Sequence, residues 1–141
     1  MKQPVPYLAF NGNCREALEF YKNCFGGELE LMTWGDAPPD ACANMGGADI
    51  DKSKIMHGCL HDGEFTIMGC DTPSPEPMEG KNISLSIPCD SEGQVDKHFQ
   101  ALSEGGQPMM PPSKTFWNAY FGMLTDKYGI QWMFNCQLGD M

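Results

Sequence analysis

The residues best suited to chemistry lie on one short segment of the chain. His57, Cys59 and His61 alternate along KIMHGCLHDG, so in a strand their side chains share one face. Imidazole and thiol groups bind transition metals and also act as acids, bases or nucleophiles. His57 and His61 are roughly 13 Å apart at ~3.3 Å per residue, too far for one ion to bind both easily. A chelate of His57 with Cys59 stays open as an unusual metal site, beside the simpler interpretation of a buried, hydrogen-bonded His57.

Nucleophilic catalysis has no comparable local signature. The seven cysteines form no C-x-x-C pair, and no cysteine and histidine fall in a recognisable nucleophile–base motif. Their odd number and wide scatter argue against a disulfide framework, so we expect free and mostly buried thiols. Tyr120, Asp71 and Glu64 are further candidate acids or bases, whose convergence the sequence does not show.

Composition excludes several classes of function. The 141 residues suffice for one domain with a real core, and no apolar run approaches the ~20 residues of a membrane span. A net charge of −10 and a single arginine, Arg15, weigh against nucleic acid, because phosphate binding needs clustered Lys and Arg. The first residues, MKQPVPYLAF, lack the long apolar stretch of a signal peptide, which favours a cytoplasmic protein without membrane contact.

The elements that position these residues occur twice. VPYLAF leads into Asn13 and an amphipathic stretch that stops at Gly26-Gly27, and ISLSIP leads into Ser91 and a stretch that stops at Gly105-Gly106. The starts are 78 residues apart (13 to 91) and the stops 79 (26 to 105). Asn13 and Ser91 are each followed three residues later by Glu or Gln, which is the capping-box pattern, and glycine closes both stretches. The pattern predicts two like halves.

Each half has the pattern of strand, helix and three strands. The predicted helices lie near 13–25 and 91–104. The predicted strands are 4–10, 28–34, the two sides of the Asp62-Gly63 turn, ISLSI, the segment around Pro108-Met109-Met110, FWNAYFGML and IQWMFNC. A lone βαβββ unit leaves one sheet face bare, so we expect one α+β domain in which two units form a curved mixed sheet around a cavity. The expected parts of this single domain, 1–141, are a first module 1–71, a Pro- and Glu-rich linker 72–81 and a second module 82–141.

This order and spacing resemble the vicinal oxygen chelate superfamily of glyoxalase, bleomycin-resistance and extradiol dioxygenase proteins, and within it the PhnB-like (3-demethylubiquinone methyltransferase-like) branch. The residues that carry the resemblance are Phe10-Asn11-Gly12, Phe20-Tyr21, Phe25-Gly26-Gly27, Ile55-Met56-His57, Asp71, Gly105-Gly106, Thr115-Phe116-Trp117, Phe121-Gly122 and Asp126-Lys127-Tyr128-Gly129. The resemblance implies the glyoxalase/bleomycin-resistance fold, a small-molecule ligand and a homodimer. Methyl transfer is not expected, because the turn Asn11-Gly12-Asn13-Cys14 is too short and too poor in glycine to hold a nucleotide-type methyl donor.

The resemblance also implies where a metal would bind. Metal-using members of the superfamily place a His or a carboxylate on the first and last strands of each half. Transferred by position, these sites fall at Gln3 or Pro4, Ile67 or Met68, Asn82 and Met133. None is a His or Glu, and Asn, Gln and Met together suit no hard or borderline divalent ion. We therefore expect no metal of the usual kind and no other cofactor.

The predicted cavity is aromatic and rich in sulfur. Adaptable methionines and flat rings suit an apolar or planar ligand held by a few polar groups, although core packing accounts for many of these side chains. The candidate ligand-binding residues are Trp34, His57, Asn82, Ser84, Trp117, Tyr120 and Met133. Three functions stay open: a small-molecule binding protein, a metal-free or atypically metallated lyase or isomerase of the glyoxalase superfamily, and a dimeric scaffold with a vestigial pocket. The missing metal ligands favour binding.

Overall fold

The chain folds into two compact units, Met1–Met78 and Glu79–Met141. The computed structural model describes residues 1–37, 51–63, 65–72, 80 and 82–139. Each unit has the order strand, helix and three strands, so the predicted α+β class with two βαβββ modules is confirmed. Most of the predicted linker 72–81 lies outside the described residues.

The N-terminal unit is a four-stranded mixed sheet with one helix. Its elements are β1 (Tyr7–Phe10), α1 (Cys14–Phe25), β2 (Glu28–Thr33), a 3₁₀ turn (Trp34–Asp36), β3 (Ile55–Asp62) and β4 (Phe65–Asp71). The strand order is β1-β4-β3-β2, in which β1 runs parallel to β4 and the other neighbours are antiparallel. The sheet is open, with β1 and β2 at its edges.

The C-terminal unit has the same pairing scheme. Its elements are β5 (Leu85–Pro88), α2 (Glu92–Ser103), β6 (Gln107–Lys114), β7 (Ala119–Thr125) and β8 (Gln131–Gln137). The order is β5-β8-β7-β6, with β5 parallel to β8. The predicted strand FWNAYFGML begins three residues late, because the chain turns at Asn118, which has a φ of 64°. Its amide donates to the carbonyl of Thr115 at 3.2 Å and closes that turn.

Helix α2 begins and both helices end much as the sequence predicts. The Ser91 hydroxyl accepts from the Gln94 amide at 3.1 Å, and the Gln94 side chain accepts from the Asp90 amide at 2.7 Å. Gly26 after α1 and Gly105 after α2 have φ values of 82° and 75°, a conformation that glycine adopts without steric cost.

Helix α1 begins differently, and the predicted capping box at Asn13 is wrong. The Asn13 side chain makes no capping hydrogen bond. The carboxylate of Asp71, at the end of β4, takes its place, because Oδ1 accepts from the amides of Gly12 and Cys14, both at 2.9 Å. Its Oδ2 accepts from the Ile55 amide, also at 2.9 Å. One buried carboxylate therefore joins the start of α1, the start of β3 and the end of β4.

A pair of glycines lets α1 lie close to the sheet. Gly58 of β3 and Gly69 of β4 are register partners under the helix. A Cβ at Gly58 would lie 2.5 Å from Leu18 Cδ1, and a Cβ at Gly69 would lie 3.4 Å from Cys14 Sγ. The apolar face predicted for α1 is buried there, with Leu18 and Tyr21 fully covered. A larger residue at Gly58 would push the helix away, whereas one at Gly69 would first meet the Leu8 carbonyl of β1, 2.9 Å from the added Cβ.

The C-terminal unit has its own buried carboxylate. Asp126 is 3% exposed and follows β7. Its Oδ1 accepts from the amides of Tyr128 and Ile130 at 2.8 and 3.0 Å, and its Oδ2 accepts from Trp132 Nε1 at 2.8 Å. These bonds close the turn between β7 and β8 and fix the largest ring of this core. Neither helix in the described ranges has the length and apolar character needed to cross a membrane.

Replacing Asp71 with Asn is expected to destabilise the protein by about 3 kcal/mol. Asn keeps one acceptor oxygen but turns an NH₂ group towards a backbone amide, which leaves a buried donor unsatisfied and removes charge-assisted bonds. Urea unfolding measures the effect. The matched control is Asp62→Asn, since Asp62 is exposed, and it should change the free energy of unfolding by less than about 0.5 kcal/mol. Equal stability of the two variants would contradict the assignment.

Candidate functional site

Helix α1 covers one face of the N-terminal sheet and leaves the other uncovered. The register pairs Gly58–Gly69 and Leu60–Ile67 face the helix. Residues between them point to the opposite face, because side chains alternate along a strand. We call this opposite surface the N-terminal open face. It carries Tyr7, Glu30, Met32, His57, Cys59, His61, Met68 and Cys70.

Thioether and aromatic groups dominate the part of this face around His57. Met32 lies opposite His57 across β2 and β3, and Met68 lies opposite Cys59 across β3 and β4 and opposite Tyr7 across β4 and β1. Tyr7 is 52% exposed and Met32 44% exposed. The side chains of Tyr7 and Met32 are therefore accessible to a ligand.

A hydrogen-bonded cluster lies at the centre of the face. The Tyr7 hydroxyl is 3.2 Å from His57 Nδ1, and the two rings are tilted with centroids 5.7 Å apart. The Tyr7 hydroxyl also interacts with the Cys70 thiol. Extending the register from Gly58–Gly69 by one residue brings His57 opposite Cys70, so one phenol reaches two neighbouring strands. Burial, aided by Cys70, raises the pKa of Tyr7, which keeps the phenol protonated at neutral pH.

The second histidine of this face belongs to a separate, solvated pair. His61 Nε2 is 3.4 Å from Glu30 Oε2, and the two side chains are 37% and 76% exposed. An exposed pair of this kind contributes little to stability. The alternation of His57, Cys59 and His61 is thus as predicted, but His57 and His61 have different partners.

The C-terminal sheet also has an open face on the side away from its helix. Gly122 lies under Phe99 of α2, where an added Cβ would be 3.1 Å from the Phe99 ring. Residues that alternate to the other side form the C-terminal open face. It carries Ser86, Met110, Phe121, Met123, Met133 and Asn135. The predicted ligand-binding residue Met133 lies here, opposite Met123 and Ser86.

Three predicted residues lie outside the strands that form that face. The Ser84 hydroxyl donates to Gln131 Oε1 at 3.3 Å, just before β5. Asn82 is exposed and precedes it in the chain. Trp117 lies in the turn before β7 and packs edge to face on Phe121, with ring centroids 5.6 Å apart. The structure thus brings Trp117 against the C-terminal open face.

Two other predicted residues lie away from the open faces. Tyr120 pairs with Cys136 on the side that α2 covers, and its hydroxyl donates to Asp96 Oδ1 of that helix at 2.7 Å. Trp34 begins the 3₁₀ turn after β2 and is 5% exposed. Its amide donates to the Lys54 carbonyl at 3.0 Å, which ties the turn to the segment before β3. Both residues therefore have structural partners within their own unit.

The buried thiols are poor nucleophiles at neutral pH. Burial, together with the Asp71 carboxylate, raises the pKa of Cys14 to about 12. Burial likewise raises the pKa of Cys89 to about 11. On the N-terminal open face, burial is also the first cause that raises the pKa values of Cys59 and Cys70. Because the thiolate is the reactive form, these groups are not prepared for nucleophilic catalysis.

The positions at which the superfamily implies a metal do not suit one here. Met68 and Met133 lie on the two open faces, while Gln3 and Asn82 are exposed residues that precede the first strand of each unit. Thioether and carboxamide groups are weak ligands for hard or borderline divalent ions. Within the described ranges, no three His, Cys, Asp or Glu side chains are placed to share an ion.

Two shallow concavities of the N-terminal unit lie elsewhere. One, of about 460 Å³, is lined by Glu19, Lys22, Asn23, Leu29 and Leu31. The other, of about 470 Å³, lies at the start of α1. Lys54 projects into this second concavity, and its Nζ donates to the Gly12 carbonyl at 3.0 Å. Both are open to solvent, and neither includes a predicted ligand-binding residue.

Two open-faced βαβββ units with this pairing order match a known superfamily. The sequence pattern of the Glyoxalase/Bleomycin resistance protein/Dioxygenase superfamily matches residues 4–134. The chain belongs to this superfamily. The relationship predicted from the sequence is therefore confirmed.

Individual relatives span nearly the whole chain. Protein YjdN of Escherichia coli (strain K12) is 29% identical over 135 residues, which cover 92% of each chain. The crystal structure of protein PA1353 from Pseudomonas aeruginosa superposes with a TM-score of 0.83 at 44% identity, covering 97% of this chain and 98% of that one. The PhnB protein of Bacillus cereus superposes with a TM-score of 0.72 at 22% identity, covering 96% and 99%. That last likeness shows the shared fold.

Sequence reasoning missed Tyr7 as the partner of His57, and Cys70 as the thiol beside Tyr7. Tyr7 lies 50 residues before His57 and Cys70 lies 13 residues after it. The sequence did contain one signal. The βαβββ order places the strands of Tyr7, Cys70 and His57 next to one another in the sheet. The pairing register, which selects the face of each strand, became known only from the structure.

The purified protein is expected to contain no stoichiometric zinc, nickel, manganese or iron. The donor set at the implied positions is too soft and too weak for these ions. Elemental analysis after dialysis without chelator tests this. About one metal per chain, lost in Met133→Ala or Asn82→Ala, would contradict it. A metal lost only in His57→Ala would instead assign the substitute site with Cys59.

Proposed function

We propose that the protein binds a small apolar or planar molecule against its open sheet faces, without the metal that is usual in the superfamily. The observation that carries the proposal is the N-terminal open face, where partly exposed Met32 and Tyr7 flank His57. Adaptable thioethers and a flat phenol suit an apolar surface, and one imidazole supplies orientation. We further propose a cytoplasmic location, which the free cysteines among the described residues support.

The charge pattern of the face favours an uncharged ligand. Glu30 and His61 pair with each other at 3.4 Å towards the end of β3. The chain as a whole has a net charge of −10, so an anion gains no long-range attraction. Met32, Met68 and Tyr7 carry no charge, and the charged side chain beside them on this face, Glu30, is acidic.

A second candidate is a metal-free or atypically metallated lyase or isomerase. The observation in its favour is the hydrogen bond between Tyr7 and His57, since such a pair can transfer or hold a proton next to a bound substrate. The raised pKa values of Cys59 and Cys70 disfavour covalent versions of such a reaction. The binding function requires only the surface and is the one that we propose first.

Binding can be tested with Nile red, an uncharged planar dye whose emission increases in apolar surroundings. The protein is expected to bind it saturably. Met32→Ser should raise the dissociation constant roughly fivefold, because the thioether contact contributes about 1 kcal/mol. The control is Leu138→Ser, since Leu138 is 37% exposed after β8 of the other unit, and it should leave the constant unchanged. Absence of saturable binding, or a larger effect of the control, would contradict the proposed function.

We also propose that the protein is a homodimer. Strand β6 is an edge of the C-terminal sheet and carries Met109 and Met110, which are 63% and 41% exposed. Phe116 in the next turn is 96% exposed. An edge strand beside exposed apolar side chains tends to aggregate unless it is covered. The superfamily relationship suggests that a second copy of the chain covers this edge strand.

The dimer is expected to show twice the chain mass in light scattering at micromolar concentration. The double variant Met109→Ser/Phe116→Ser should shift the mass towards the monomer, since it removes apolar contact from the proposed interface. Leu138→Ser, at another exposed apolar residue, serves as the control. A monomeric mass of the unaltered protein, unchanged on dilution, would rule the dimer out. Loss of the dimer in Trp117→Ala would assign Trp117 to the interface rather than to the ligand.

A further inference from the structure

The hydrogen bond between Tyr7 and His57 Nδ1 couples the tautomer of the imidazole to the direction in which the Tyr7 hydroxyl donates. The Tyr7 hydroxyl lies between His57 Nδ1, at 3.2 Å, and the Cys70 thiol. A phenol has one proton to donate, and imidazole nitrogen is a better acceptor than thiol sulfur. Donation from Tyr7 to Nδ1 of a neutral ring is therefore the favoured direction.

Cys70 is the other neighbour of the Tyr7 hydroxyl. Burial is the first cause that raises the pKa of the Cys70 thiol, so the sulfur keeps its proton at neutral pH and is a weak acceptor. His57 Nδ1 is therefore the stronger of the two acceptors beside Tyr7.

The consequence is a free N–H on the open face. A neutral imidazole whose Nδ1 accepts a hydrogen bond carries its proton on Nε2. No described residue forms a hydrogen bond with His57 Nε2. Met32 lies beside the ring across β2 and β3. The arrangement is a single N–H donor next to an apolar surface.

We propose that His57 Nε2–H is the group that recognises the ligand, and that the ligand is an uncharged planar carbonyl compound whose oxygen accepts from it. This inference rests on the proposed function and names the class of ligand. Tyr7 is a positioning residue, because it acts through His57 and sets the tautomer.

A carbonyl fits this donor better than a carboxylate or a phosphate. Glu30 lies on the same face, and the chain has a net charge of −10. In the described part of the open face, no Lys or Arg accompanies His57. A single uncharged N–H donor beside a thioether and a phenol suits a planar apolar molecule that carries one acceptor oxygen.

The tautomer is measured directly by nitrogen-15 NMR of the histidine rings at a pH where they are neutral. The expected spectrum shows His57 with a protonated Nε2 and an unprotonated Nδ1. In Tyr7→Phe the preference should relax towards a mixture, while His61, which contacts Glu30 instead, stays unchanged. A protonated Nδ1 in the unaltered protein would overturn the inference, whatever the ligand.

The ligand class is tested with 1-indanone and indane, which share one planar shape and differ by the carbonyl. The probes are titrated separately and followed by NMR. The protein should bind 1-indanone roughly three- to tenfold more tightly, the gain expected from one net hydrogen bond. His57→Leu should abolish the preference, His57→Gln should keep part of it through its amide N–H, and Tyr7→Phe should reduce it. His61→Leu is the matched control and should retain it.

The outcomes separate this inference from the proposed function. Equal binding of 1-indanone and indane would overturn the carbonyl recognition and leave apolar binding intact. Binding of neither probe would count against both. A preference that survives His57→Leu would place the carbonyl donor elsewhere and also overturn the inference. Thermal unfolding of each variant shows that a lost preference does not come from a lost fold.

Discussion

The N-terminal unit depends on one buried carboxylate. Asp71 accepts three backbone hydrogen bonds, and these come from the turn before α1, from the first residue of that helix and from the first residue of β3. The carboxylate therefore fixes the helix and two strands at the same point. Cys70 precedes Asp71 by one residue, and His57 follows Ile55 by two. The hydrogen bonds of Asp71 therefore lie within two residues of both His57 and Cys70 in the chain.

The two halves have the same arrangement of helix on sheet, but different residues stabilise it. Each helix lies on glycine, with Gly58 and Gly69 under α1 and Gly122 under α2. Each half also has a buried carboxylate with three donors, but Asp126 follows β7 and closes a turn, whereas Asp71 ends β4 and caps a helix. The internal repeat is thus preserved in the order of elements and in the close approach of helix to sheet. The residues that stabilise the two halves differ, and so do the residues on the two open faces.

The order of elements could be predicted from the sequence because it depends on local signals. Periodicity, the Ser91 cap and the closing glycines predict both helices within one residue at each end. The cap of α1 could not be predicted, because its acceptor, Asp71, lies 57 residues away from Cys14. The candidate site was predictable only in part for the same reason. His57 was found from alternation within one strand, whereas its partner Tyr7 depends on pairing between strands distant in sequence.

The N-terminal open face is the surface that we propose for ligand binding. Carbon-13 labelling of all methionine methyl groups tests this most directly, because Met32 and Met68 lie on that face and Met109 lies on β6 of the other unit. On titration with 1-indanone, the Met32 and Met68 signals should shift together along one saturation curve, while the Met109 signal stays in place. Saturable shifts confined to Met109 and its neighbours, with Met32 and Met68 unchanged, would contradict the account.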